Sequence, residues 1–136
     1  MSNSVDPVEL MGSAKSIAVV GVSARSDRPS YEVAEYLIEA GYQVYLVNPR
    51  ETEILGKKVY DRVQDLPKSV DIVDIFRKPA DVLPVVQDAI EASAGAIWMQ
   101  LEIVNQEAAE LAQVSGLEVV MDRCTKIEHR KIAEAR

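Results

Sequence analysis

Ile17-Ala18-Val19-Val20-Gly21-Val22-Ser23-Ala24-Arg25-Ser26-Asp27-Arg28-Pro29-Ser30 is the stretch on which the reading of the fold turns. Its first four residues are apolar without alternation, as in a strand covered on both faces. Gly21 then permits a tight turn. Beyond the loop, residues 30–40 place Val33, Ala34, Leu37 and Ile38 on one helical face and Glu32, Glu35 and Glu39 on another. Gly41 is a natural helix stop. Strand, loop and helix in this order open a βαβ unit.

Working outward, residues 44–47, 70–76, 96–99 and 119–121 repeat the strand character. Val82, Val85, Val86, Ala89 and Ile90 form a second helical stripe, with Pro84 in its first turns. Asn105 can cap a third helix that buries Ala108, Leu111 and Ala112 and ends at Gly116. Residues 125–135 read as a polar last helix. At the front, Asp6-Pro7-Val8-Glu9 reads as an N-cap, a first-turn proline and a capping-box acid. The segment 51–68 is irregular, with a turn at Leu55-Gly56-Lys57, a small strand over 58–60 and a helical turn over 63–66. This alternation predicts an α/β fold: one Rossmann-like three-layer domain over residues 1–136, core about 14–132, with a five-stranded parallel sheet in the order 3-2-1-4-5. Ligands of such sheets bind beyond the carboxyl ends of the strands, where the order reverses.

The composition fits a single folded core: 136 residues, 48% hydrophobic and 27% charged. No apolar run approaches the roughly 20 residues that span a bilayer, and the first residues lack the pattern of a signal peptide. One cysteine, Cys124, excludes an internal disulfide and suits a reducing, cytoplasmic location. The net charge of −7 weighs against nucleic-acid and membrane partners. An anionic ligand would need a local positive patch. Seven of the 15 basic residues follow predicted strand ends: Arg25, Arg28, Arg50, Arg77, Lys78, Arg123 and Lys126. Asp27, Glu51 and Asp122 temper that patch.

The loop after the first strand has the parts of an anion site. The helix that follows offers unpaired N–H groups and the positive end of its dipole. Ser23, Ser26 and Ser30 add hydroxyls, and Arg25 and Arg28 add charge; Ser30 also fits a plain N-cap. After Gly21 the next glycine is Gly41, so the Gly-x-Gly-x-x-Gly dinucleotide fingerprint is absent. Asn48-Pro49-Arg50 ends the second strand where an NAD enzyme usually carries an acid. A base there suits a phosphorylated ribose, which leaves NADP and coenzyme A open. Cys124 opens a helix beside Arg123, where a thiol gains thiolate character, or else simply packs beneath it. One cysteine and one histidine do not make a typical zinc site. Trp98 reads as core, and Asp71 and Asp74 as the end or edge of the third strand.

Gly21-Val22-Ser23, Arg28-Pro29-Ser30-Tyr31, Val47-Asn48-Pro49, Phe76-Arg77, Trp98-Met99-Gln100 and Met121-Asp122-Arg123-Cys124 with His129, in this order and spacing, resemble the small stand-alone CoA-binding domain proteins of bacteria and archaea. The fold also resembles the N-terminal CoA-binding domain of the succinate–CoA ligase α subunit. The resemblance implies coenzyme A across the strand ends. Gly21, Ser23 and Arg25 would meet its phosphates, and Asn48, Pro49 and Arg50 would lie beside the adenosine phosphate. Phe76, Arg77 and Lys78 would flank adenine or ribose, and Gln100 would line the nucleotide cleft. One departure stands out: the family commonly reads Gln-Leu-Gly where this chain has Gln100-Leu101-Glu102.

The leading expectation is a module that binds coenzyme A or an acyl-CoA for sensing, storage or regulation. The candidate site is Gly21, Ser23, Arg25, Arg28, Ser30, Asn48, Pro49, Arg50, Phe76, Arg77, Lys78, Gln100 and Cys124, with no catalytic or metal-binding residue assigned. A small NADP-dependent reductase or a component of a CoA ligase is the enzymatic alternative. A protein-interaction domain with a vestigial ligand site is the third, its partner unidentified.

Overall fold

The computed structural model describes residues 5–135. Along the chain come α1 (Pro7–Ser13), β1 (Ser16–Val20), α2 (Pro29–Glu39), β2 (Gln43–Val47), β3 (Glu53–Ile54) and β4 (Lys57–Tyr60). β5 (Ile72–Ile75), α3 (Val82–Glu91), β6 (Ala96–Met99), α4 (Gln106–Val114), β7 (Glu118–Val120) and α5 (Thr125–Glu134) complete it. The helix caps follow the sequence chemistry. Asp6 accepts from the Val8 N–H at 2.9 Å, and Asn105 accepts from that of Ala108 at 3.0 Å.

The sheet differs from the expected one. It has seven strands in the order β3-β4-β2-β1-β5-β6-β7, and β3 is antiparallel to β4. The third expected strand, β5, does not sit beside β2; it pairs directly with β1, Ile17 opposite Ile72. The seat beside β2 goes to β4, with Val59 opposite Leu46. β4 gains its place through a hairpin. Leu55 and Gly56 both have positive φ, 55° and 71°, the backbone sense that two-residue hairpin turns favour. The reversal of strand order therefore falls between β1 and β5. That brings the loop after β5 against the loop after β1.

Each face of the sheet buries one apolar layer. Ala18, Val20, Val73, Ile75, Ile97 and Met99 pack under α3 and α4. Ile17, Val19, Leu46 and Trp98 pack on the opposite face, where α1, α2 and α5 supply Leu10, Met11, Val33, Leu37 and Ile132. Trp98 lies fully in this core, and its indole N–H donates to the Arg123 carbonyl at 2.8 Å. Among the described residues no helix is long and apolar enough to cross a membrane.

Two contacts fix the carboxyl edge of the sheet. Gly21 has φ 86°, and a Cβ there would lie 2.2 Å from the Phe76 carbonyl oxygen. The loop after β1 can approach β5 this closely only without a side chain. The second contact corrects an expectation: Asp74 is not an edge residue but fully buried. Its carboxylate accepts from the Gln100 amide nitrogen at 2.6 Å and from the Thr125 hydroxyl at 3.0 Å. The same amide nitrogen also donates to the Thr125 oxygen at 2.9 Å. One carboxylate thus ties β5, the end of β6 and the first turn of α5. Burial outweighs the two hydrogen bonds and pushes its pKa up to about 7.

Gly21→Ala should cost at least about 2 kcal/mol, from the clash and from the positive φ together; chemical denaturation measures it. Asp74 binds its proton more tightly in the folded chain than in the unfolded one. Its contribution to stability is complete below pH 3.8, the ordinary value, and is lost as pH rises to about 7. In that window this group should lower stability by up to about 1.4 kcal/mol per pH unit. Asp74→Asn should flatten that part of the stability–pH curve, which thermal melts between pH 4 and 8 would show.

Candidate functional site

A cleft of about 440 Å³ opens at the reversal point, within the size range of ligand sites. The loop after β1 supplies Gly21, Ser23, Arg28 and Ser30. The loop after β5 supplies Phe76, Arg77 and Lys78, and Leu101, Glu102 and Ile103 follow β6. Three cations and one carboxylate therefore line it, in a chain whose net charge is −7. Among the described residues, none of the three cations is in an ion pair.

The first loop is ordered from within. Pro29 opens α2, so the cap falls on Arg28 rather than on Ser30. Ser30 instead lies buried, and its hydroxyl oxygen accepts the Ser23 N–H at 2.9 Å. The Ser23 hydroxyl oxygen accepts the Arg25 N–H at 3.0 Å. Pro29 has no N–H, and the N–H groups of Tyr31 and Glu32 return to the Arg28 carbonyl at 3.1 and 3.2 Å, so α2 offers this end chiefly the positive end of its dipole. Arg25 does not line the cleft; it pairs with Asp27 at 3.2 Å in an exposed contact.

Asn48, Pro49 and Arg50 follow β2 at the same edge of the sheet but lie outside the cleft lining. Asn48 ties two loops: its amide nitrogen donates to the Val22 carbonyl at 2.8 Å, and its amide oxygen accepts the Arg50 N–H at 2.9 Å. The Arg50 side chain is exposed.

Gln100 and Cys124 line a second cavity, of about 330 Å³. Val33 completes its apolar wall, and Pro29, Phe76, Leu101, Glu102 and Ile103 belong to both spaces. The cleft and the cavity thus share one wall. The Gln100 amide nitrogen is committed to Asp74 and Thr125, so its orientation is locked. Cys124 is buried and precedes α5 as its N-terminal cap.

Leu101, Glu102 and Ile103 were absent from the expected site. β6 sits one strand farther from β1 than expected, yet the turn after it, residues 101–103, still lines the cleft, and no local pattern signals that. Glu102 carries a signal of its own, since it departs from the Gln-Leu-Gly that the resemblance leads one to expect, and its φ is 67°.

The opposite edge of the sheet serves a different purpose. The Tyr36 hydroxyl lies 2.7 Å from Nδ1 of His129, and both Tyr36 and Tyr42 meet that ring edge-on. Burial raises the pKa of both tyrosines, that of Tyr42 to about 12, so they keep their protons. The Tyr36 hydroxyl is hydrogen-bonded to the His129 ring, and Tyr42 donates to the Met11 carbonyl. His129 thus fastens α5 to α2, far from Cys124 in role.

The comparisons agree with this geometry. The chain is 36% identical over 121 residues to the uncharacterized protein YneT of Bacillus subtilis, covering 89% of this chain and 90% of YneT. It is 31% identical over 130 residues to the α subunit of an ADP-forming acetate–CoA ligase from Pyrococcus furiosus. That match covers 83% of this chain but only 28% of the subunit. A solved structure, a hypothetical protein from Pyrococcus horikoshii, superposes with a TM-score of 0.91 at 36% identity, covering 96% of this chain and 94% of that one. The model of the CoA binding domain matches residues 15–130, from the start of β1 into α5. With the cleft formed by the loops at its strand ends, the chain belongs to the CoA-binding domain family.

Proposed function

We propose that the chain binds coenzyme A or an acyl-CoA, with the phosphates in the basic cleft and the thiol-bearing arm in the apolar cavity. The observation that carries this reading is the shared wall: a cationic cleft continues into a mostly apolar space lined by Gln100 and Cys124, whose one charge among the described residues is Glu102 on the wall the two share. Coenzyme A has the same division, a polyanionic nucleotide joined to a flexible, weakly polar arm. The nicotinamide riboside end of NADP is rigid and rich in hydroxyls and matches an apolar space less well than the flexible arm does. Family membership supports the same ligand.

In this arrangement Arg28, Arg77 and Lys78 provide charge-assisted hydrogen bonds to the pyrophosphate. Gly21, Ser23 and Ser30 let the backbone and hydroxyls approach it, and the α2 dipole adds to the field. Arg25 would first have to leave Asp27. Arg50, exposed at the end of β2 with Asn48 and Pro49, would meet the ribose phosphate. Phe76 offers a ring for stacking or packing. Cys124 would face the thiol end of the arm. The module would act by holding or sensing the ligand; the ligase chemistry of its relatives belongs to proteins of which it spans a small part.

Coenzyme A should bind more tightly than dephospho-CoA, about tenfold or more for one charge-assisted contact. Arg50→Ala should shrink that difference. Calorimetric titration of both ligands checks it, and equal affinity in the unmutated chain would remove Arg50 from the site. Arg28→Ala should weaken coenzyme A binding by a similar factor and leave the ligand-free melting temperature unchanged, because its side chain is exposed and unpaired. A collapse of ligand-free stability would make Arg28 structural instead.

A further inference from the structure

We propose that Glu102 makes the site select coenzyme A thioesters with uncharged acyl groups over those whose acyl group carries a carboxylate. This rests on the reading of the cleft and cavity given above. Glu102 stands on the wall where the two spaces meet and, among the described residues, is the one charged residue that lines the apolar cavity. Arg28, Arg77 and Lys78 line the cleft but not the cavity. The lining charge along the bound ligand therefore changes sign: positive at the phosphates, negative at the wall where the cavity begins.

The backbone holds Glu102 there. Its φ of 67° is unusual for a residue with a side chain, and the Asp122 carboxylate accepts its N–H at 2.7 Å. Asp122, at the end of β7, has φ 57° itself. Two left-handed residues thus brace each other across the ends of β6 and β7, and neither carboxylate is in an ion pair among the described residues. A glycine would adopt this turn at lower cost.

The cavity has little to offer an acyl carboxylate. Both N–H bonds of the Gln100 amide are committed to Asp74 and Thr125. The remaining wall is apolar, apart from the Cys124 thiol. A carboxylate entering it would lose water, find no cation, and meet Glu102 at close range. An uncharged acyl chain would only gain apolar contact. Selection of this kind comes from repulsion of the wrong ligand, not from added attraction to the right one.

Butyryl-CoA and succinyl-CoA have acyl chains of equal length that differ by one terminal carboxylate. Titrated calorimetrically into the full chain at low salt, butyryl-CoA should bind about tenfold or more tightly. In Glu102→Gln the ratio should fall to within about threefold, and Glu102→Gly should do the same while relaxing the turn. Equal binding of the two thioesters to the unmutated chain would overturn the proposal. So would a ratio that survives Glu102→Gln. If coenzyme A and both thioesters all fail to bind, the CoA reading itself falls, and this inference with it.

Discussion

The turn after β1 passes so near the end of β5 that the Phe76 carbonyl oxygen fills the space of any side chain at residue 21. Gly21 is held there by its own N–H, which donates to the Val47 carbonyl at 2.9 Å. The turn thus touches both neighbouring strands, at the point where the strand order reverses. Everything at the carboxyl edge follows from that closeness. It sets Arg77 and Lys78 opposite Arg28 and Ser30, and it leaves a cleft rather than a packed seam between the two loops. The buried Asp74 hub performs the matching task one layer deeper, pinning Gln100 and the start of α5 where the cavity ends.

Much of this was legible in the amino-acid sequence, because the strands with strong apolar runs carry their own signal. β1, β2, β5, β6 and β7 all lie within or close to runs rich in Val, Ile, Leu and Ala. β4 is Lys57-Lys58-Val59-Tyr60, with too little apolar character to compete for a seat beside β2 by pattern alone. Strand order is a long-range property, and local periodicity says nothing of it. Asp74 looked like a strand boundary because a carboxylate interrupts the run Ile72-Val73-Asp74-Ile75. Its partners are 26 and 51 residues away, and only the fold brings them together. Ser30 resembled an N-cap until Pro29, opening the helix, moved the cap two positions earlier to Arg28 and left the hydroxyl to order the loop.

The site residues divide by how they act. Arg28, Arg77 and Lys78 present unpaired charge to the cleft, whereas Asn48 and Ser30 shape the loops that hold it. A chain of net charge −7 gains selectivity from this arrangement. Its general field repels polyanions, and the local cluster must overcome that field for the ligand it fits. His129 and the two tyrosines around it are spent on joining α5 to α2. The chemistry at the carboxyl edge is accordingly that of holding a ligand: cations, hydroxyls, a locked amide and a thiol.

The central claim is that coenzyme A occupies the joined cleft and cavity at the carboxyl edge of the sheet. Amide chemical-shift mapping of the full chain during a coenzyme A titration tests it residue by residue. Saturable shifts should concentrate at residues 21–31, 48–50, 76–82 and 100–104, with Cys124 among them and Gly12, Tyr42 and His129 at the opposite edge undisturbed. No saturable shift, or shifts confined to that opposite edge, would contradict the account.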